Sequence, residues 1–124
     1  MNQNVSHLVN NLSKILAVLV AEGGGYTYVD KLSYAPSIDL ALFYIREALR
    51  DFHSLIRRGT FENPKVISVI NELKDKLGYV ANDLNKLASI VDRRELRTIT
   101  SLISSKALAL AANLTSSSGS KKGE

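Results

Sequence analysis

Cysteine is absent from the sequence, which excludes disulfides, thiolate metal sites and a thiol nucleophile and is compatible with an intracellular, cytoplasmic home. Long apolar runs are absent as well. The strictly apolar stretches are only a few residues long, against the ~20 needed to cross a bilayer, so a soluble chain without membrane contact is expected. The opening MNQNVSHLVNNLSK has no basic segment leading into an apolar run, and the final residues carry no anchor signal, so no targeting segment is expected. Histidine is scarce: His7 and His53 each read as surface or boundary side chains, with no carboxylate-plus-serine arrangement beside them.

The usual chemical constellations are also missing. There is no Gly-Lys-Ser/Thr phosphate loop, no dinucleotide fingerprint after a strand, no H-E-x-x-H, and no Glu-x-x-His pair for a carboxylate di-metal site. Gly23, Gly24 and Gly25 follow a helix and lack the Lys and Ser/Thr of a phosphate cradle, so they read as a flexible break. Asp30, the one acid among Tyr26, Tyr28 and Tyr34, is a poor basis for an active site. Enzymatic function, a cofactor and a metal are therefore not expected.

What remains is 124 residues, 45% of them apolar, enough for the core of one domain. The net charge is +4; residues 116–124 hold two Lys and one Glu, which leaves +3 on the rest and permits an anionic partner without requiring one. Val5, Leu8, Leu12, Ile15, Leu16, Leu19 and Val20 step by three and four, predicting a helix over residues 3–22 capped by Asn2 or Asn4. The aromatic and β-branched YTYVDKLSYAP predicts a small hairpin or a partly ordered loop. Pro36 and Ser37 then start a second helix with Asp39 in its first turn, striped by Ile38, Leu42, Ile45, Leu49, Phe52 and Ile56 and stopped by Gly59.

Asn63 and Pro64 read as cap and first residue of a third helix. Its stripe of Val66, Ile70, Leu73, Leu77, Val80, Leu84, Leu87 and Val91 keeps phase across Gly78, which predicts one long helix over residues 64–91. Asp92 and Glu95 have capping-box spacing and open a last helix striped by Leu96, Ile99, Ile103, Leu110 and Leu114. The Ala- and Leu-rich residues 107–112 suit close packing on a neighbour or a contact between subunits. The expected architecture is all-α: a four-helix bundle-like domain over residues 1–115, with a short Tyr-rich loop or hairpin after the first helix and a disordered C-terminal tail over residues 116–124.

Two arginine clusters are the strongest chemical signal. Arg46, Arg50 and Arg57 fall within about 40° of one another at ~100° per residue, with Arg58 farther round the same helix end. Arg93, Arg94 and Arg97 begin the last helix, shortly after Lys86, where basic residues oppose the helix dipole, so a purely local stabilising role explains them less well than it explains Arg57 and Arg58. Both clusters suit phosphate-backbone contacts without base readout. Asp39, Glu47, Asp51, Asp92 and Glu95 are placed to neutralise them in part, which would leave solvated ion pairs or a protein-binding surface. Tyr26, Tyr28 and Tyr34, with Lys31 between them, either offer stacking surfaces or fasten their loop onto the bundle, where Val29 and Leu32 also need cover.

The segment LAVLVAEGGGYTYVDKLSYAPSIDLALFYIREALRDFHSLI, residues 16–56, resembles the small-subunit family of crenarchaeal type I-A CRISPR effector complexes. The likeness rests on a first helix, an E-G-G-G-Y break, a V-D-K segment and an A-L-R-D helix. It implies a mainly helical, non-nuclease protein of archaeal antiviral defense, bound in several copies beside CRISPR RNA-guided effector subunits and helping to hold target or displaced DNA. The larger β-rich insertion of some members has no room here. The rival expectation is a self-associating structural or coat-like protein of an archaeal virus or plasmid.

Overall fold

In a computed structural model, the chain is described over residues 3–90 and 92–120, with side chains described from Val5 to Ser116 apart from positions 88, 90 and 91. It forms six helices: α1 (Gln3–Ala21), α2 (Tyr26–Ser33), α3 (Ile38–Arg58), α4 (Pro64–Lys74), α5 (Leu77–Ile90) and α6 (Arg93–Ser120). No strand occurs among the described residues, so the all-α expectation holds while the count of four helices does not.

The expected stripe of α1 is buried, but so are Val9, Ala17 and Val18 and the polar Asn11 and Ser13. A helix with little polar perimeter belongs inside, and α1 packs against each of the other five helices. Its longest contact is with α6. Ser13 Oγ donates to the Val9 carbonyl of its own helix at 2.6 Å and lies 3.4 Å from the Ile103 carbonyl, and Lys106 Nζ donates to Asn10 Oδ1 at 3.2 Å, so positions fall along α1 as they rise along α6 and the pair runs antiparallel. On α6, Thr100, Ser104, Ala107 and Ala111 are buried at spacings of four and three, forming a seam of small side chains that lets helices approach closely.

The Gly break is a built turn. The Gly23 N–H donates to the Val20 carbonyl at 3.1 Å and the Gly24 N–H to the Leu19 carbonyl at 2.8 Å, with Gly23 at φ 104°: a Schellman ending to α1. A Cβ on Gly25 would lie 2.4 Å from the Val20 backbone nitrogen, so this position admits no side chain.

The hairpin or loop expected after this turn is instead the helix α2. Its aromatic and β-branched composition favours a strand, but Val29 and Leu32, three apart, are both buried, and the segment is packed against α1, α3 and α6. Eight residues make a marginal helix alone, so tertiary burial overrides local preference. Ser104 Oγ of α6 donates to the Val29 carbonyl at 3.2 Å and fixes the segment from below.

The ends of α3 follow its sequence signals: Ser37 accepts from the Leu40 N–H, Asp39 lies in the first turn, and Gly59 at φ 69° closes the helix. The third predicted helix divides. Its phase survives, with Val66, Ile70, Leu73, Val80, Leu84 and Leu87 all buried, but at Asp75 and Lys76 the ladder tightens to an i to i−3 bond from the Lys76 N–H to the Leu73 carbonyl at 2.8 Å. The interruption therefore precedes Gly78, which sits in the first turn of α5. The tightened turn does not take the apolar face out of phase, which is why the pattern did not reveal it.

Asn63 caps α4 through Oδ1, and its amide donates to the Leu114 carbonyl of α6 at 2.8 Å. Lys14 of α1 pairs with Glu72 of α4. That hydrogen bond holds the Glu72 carboxyl below its ordinary range against the opposing effect of burial, so its contribution to stability is present above that range and fades as pH falls through the lowered value. The last helix runs to Ser120, so the boundary expected after residue 115 falls within α6, a helix propagated from a packed segment. Residues 121–124, Asn2 and Val91 lie outside the described residues; Asn4, the other expected cap, lies within α1.

Two glycines of the turn should separate in denaturant unfolding. Gly25→Ala is expected to lose about 1–3 kcal/mol or more, because its Cβ meets backbone. Gly24→Ala, with nothing within 4 Å of the added carbon, is expected to stay within about 0.5 kcal/mol of the parent. Equal midpoints for the two variants would contradict the turn.

Candidate nucleic-acid interface

Every arginine of the chain lies on α3 (Arg46, Arg50, Arg57, Arg58) or in the first turns of α6 (Arg93, Arg94, Arg97), whereas the lysines are spread over the whole sequence. All seven positions are exposed. This segregation is readable in the sequence, and it marks the two surfaces more sharply than total charge does, since Arg and Lys are not interchangeable at multidentate sites.

The carboxylates near these arginines are largely committed elsewhere. Asp92 Oδ1 accepts from the Glu95 N–H at 2.8 Å, and Glu95 Oε1 accepts from the Asp92 N–H at 3.4 Å, forming the reciprocal capping box expected from their spacing. On α3, Glu47 pairs with Arg50 at 3.0 Å and Asp51 accepts the Tyr28 hydroxyl. Among the described residues, no ion pair within 4.0 Å involves Arg46, Arg57, Arg58, Arg93, Arg94 or Arg97.

The α6 cluster lines an open depression of about 660 Å³ formed by Asp92, Arg93, Arg94, Arg97 and Thr98. A second depression of about 480 Å³, lined by Arg97, Thr98, Ser101, Leu102 and Ser105, continues it along the helix. Arginine forks followed by the Ser101 and Ser105 hydroxyls on one helix face suit a chain of phosphate oxygens, while the Thr98 hydroxyl between them donates to the Arg94 carbonyl at 3.3 Å. Arg93 has a further role: its guanidinium donates to the Pro36 carbonyl at 3.1 Å and braces the start of α6 against the start of α3. Lys86 is exposed on α5 and does not line either depression.

The α3 stripe occupies its own surface. Arg46, Arg50 and Arg57 share the outward side of the helix, with His53 exposed near them, and neither α6 depression includes any α3 arginine. The four tyrosine-segment candidates divide. Tyr28 is half-buried and fastens α2 to α3 through Asp51, and Lys31 lies over the Tyr44 ring at 5.4 Å from its centre. Tyr26 and Tyr34, 65% and 80% exposed, remain open to solvent. Val29 and Leu32 take the cover expected of them.

The glycine turn lines a cleft of about 390 Å³ with Leu19, Glu22, Asp51, Ser54, Leu55 and Arg58. The Gly23 and Gly24 N–H groups are already bonded to α1 carbonyls, so the turn offers no phosphate cradle at those amides. Asp30 and His7 are exposed, and no group of three or more His, Cys, Asp or Glu able to hold a metal occurs among the described residues. No helix among them is long and apolar enough to cross a membrane.

The chain is 54% identical over 112 residues to a protein of Archaeoglobus fulgidus named as an uncharacterized protein, a match covering 89% of this chain and 93% of the relative. The chain belongs to the family of that archaeal protein. No family model matches the sequence. No solved structure matches it.

The Tyr28 phenol is pushed up to about 12, chiefly by burial, then by its hydrogen bond to Asp51 and the charges of Asp51 and Glu47, against a smaller opposing effect of Arg50. Stability from the neutral phenol is therefore complete below the ordinary tyrosine value near 10 and is lost as pH rises toward about 12. Phenolate absorbance should show one late-titrating tyrosine that moves toward the ordinary value in Asp51→Asn. Five tyrosines titrating together in the parent would contradict the contact.

Proposed function

We propose that the chain is a non-catalytic subunit of a CRISPR RNA-guided interference complex that helps hold target or displaced DNA through phosphate contacts. The observation that carries the phosphate part is the face of α6 on which exposed Arg94 and Arg97 adjoin Thr98, Ser101 and Ser105, while the nearby Asp92 and Glu95 are engaged in capping. Such a face binds backbone rather than sequence. The place in a CRISPR effector assembly rests on the resemblance of residues 16–56, and there the chain supplies no nuclease chemistry of its own. Affinity of one copy is low, and neighbouring subunits raise it by holding the same strand.

A second reading, a self-associating structural or coat-like protein of an archaeal virus or plasmid, is favoured by one feature. Leu108, Ala109 and Ala112 are exposed on α6 and present an uncharged face toward its C-terminal half. A purified chain that sediments as a filament without nucleic acid would support this second reading.

Binding of mixed-sequence DNA should be followed across a salt series for the parent and for Arg94→Gln/Arg97→Gln, with circular dichroism confirming the fold. The parent is expected to weaken as salt rises, and the variant's salt slope to fall in magnitude by roughly 0.7–0.9 for each phosphate contact removed. An unchanged affinity and slope in the folded variant would overturn the assignment of phosphate contacts to α6.

A further inference from the structure

We propose that the outer face of α3 docks an acidic segment of a partner protein that carries one aromatic or aliphatic anchor, a function separate from the phosphate face of α6. Leu40 and Phe43 are exposed on this helix at 38% and 53%, which leaves an apolar island at its N-terminal end. The Phe43 ring meets Tyr44 edge-on at 5.7 Å between centres, and Tyr44 is in turn covered by the Lys31 ammonium, so the island is held by its neighbours. From Phe43, the helix continues outward through Arg46, Arg50 and Arg57, over roughly 21 Å at ~1.5 Å per residue.

The composition of this helix is that of a protein interface. It contains Phe43, Tyr44 and four arginines and no lysine, and aromatic residues and arginine are the types enriched at binding hot spots while lysine is depleted. Three unpaired or weakly paired guanidinium groups on one side fit carboxylates, and the adjoining island fits an apolar side chain that carboxylates alone would leave unused.

The same face fits a nucleic-acid strand less well. Of the two island residues only Phe43 carries a ring, so the face lacks the successive aromatic platforms on which consecutive bases stack. Glu47 stands among the arginines and pairs with Arg50, and Asp39 lies in the first turn of the helix, so the face carries both signs of charge, which a protein segment can meet with donors as well as carboxylates and a phosphate backbone cannot. On α6, by contrast, hydroxyls adjoin the arginines and the carboxylates are spent on the helix cap. The two arginine groups therefore face different chemistries even though they are alike in sequence.

The test uses a synthetic helical peptide of about four turns with a Phe at one end and Glu along one face, in the manner of groove-binding helices read at i, i+3, i+4 and i+7. Two control peptides replace the Phe by Ala or the Glu residues by Lys, and a mixed-sequence single-stranded oligonucleotide serves as the competing class. Fluorescence anisotropy is measured on the parent, Phe43→Ser, Arg46→Gln/Arg57→Gln and Arg94→Gln/Arg97→Gln, all shown by circular dichroism to be folded. Phe43→Ser and Arg46→Gln/Arg57→Gln are expected to weaken the acidic peptide by roughly tenfold or more and to leave DNA affinity unchanged. The α6 variant is expected to do the reverse. Equal binding of the Phe and Ala peptides, no binding of the Phe peptide, or loss of DNA rather than peptide in Phe43→Ser would overturn the proposal. Failure of the α6 variant to change DNA binding would count against the phosphate reading alone.

Discussion

The burial of residues 15–20 of α1 on every side is the constraint on which the other helices depend. From Ile15 to Val20 the helix has no polar side to give to water, so the remaining five pack around α1 and leave exposed only the polar side of its first turns, with Ser6, His7 and Asn10. The closest of these contacts is made possible by what α6 does not carry: along Thr100, Ser104, Ala107 and Ala111 no side chain is larger than threonine. Ser13 and Ser104 use the same seam. Ser13 donates to the Val9 carbonyl one turn back at 2.6 Å, with the Ile103 carbonyl of α6 3.4 Å away, and Ser104 donates to the Val29 carbonyl, so both buried hydroxyls are satisfied and Ser104 ties α6 to α2.

Enclosing one apolar helix sends the charged side chains outward, but it does not decide which of them stay available. That selection is made by local structure. The capping box consumes Asp92 and Glu95, the α2–α3 contact consumes Asp51, and Glu47 attends Arg50. A near balance of charge in each arginine-bearing segment is thereby converted into exposed guanidinium groups whose nearest carboxylates already have partners. Surface ion pairs are weak enough that a phosphate or a partner carboxylate competes readily with those that remain.

The parts of the fold that were legible in the sequence are those decided by neighbouring residues. Ser37, Asn63 and the Asp92–Glu95 box act within one turn, Gly59 acts on the carbonyls just before it, and all four mark helix ends where the sequence places them. The failures lie where distant contacts decide. The tyrosine segment reads as β locally and becomes helical because Val29 and Leu32 have a site between helices far away in sequence. The break at Asp75 and Lys76 leaves the three-four pattern intact, so periodicity carries no trace of it. For the candidate site, the arginines were visible, but the occupation of their carboxylates depends on geometry, as does the neighbourhood of Leu40 and Phe43.

The α6 face gains from how its helix is held at two separated points. Near its start, Arg93 donates to the Pro36 carbonyl; near the other end, Asn63 donates to the Leu114 carbonyl and Lys65 Nζ to the Asn113 carbonyl at 3.2 Å. Arg94, Arg97, Thr98, Ser101 and Ser105 all lie between these attachments, on a helix whose opposite side carries the buried Leu96, Ile99, Ile103 and Leu114. A binding face on a helix fixed in this way loses little backbone freedom when a ligand arrives, so more of each contact's free energy appears as affinity. The polar bonds that hold α6 in the bundle thus also set the spacing of its exposed donors. Arg93 links the two functions: one of its guanidinium nitrogens is bound to the Pro36 carbonyl, while its side chain still lines the depression in which the other arginines stand.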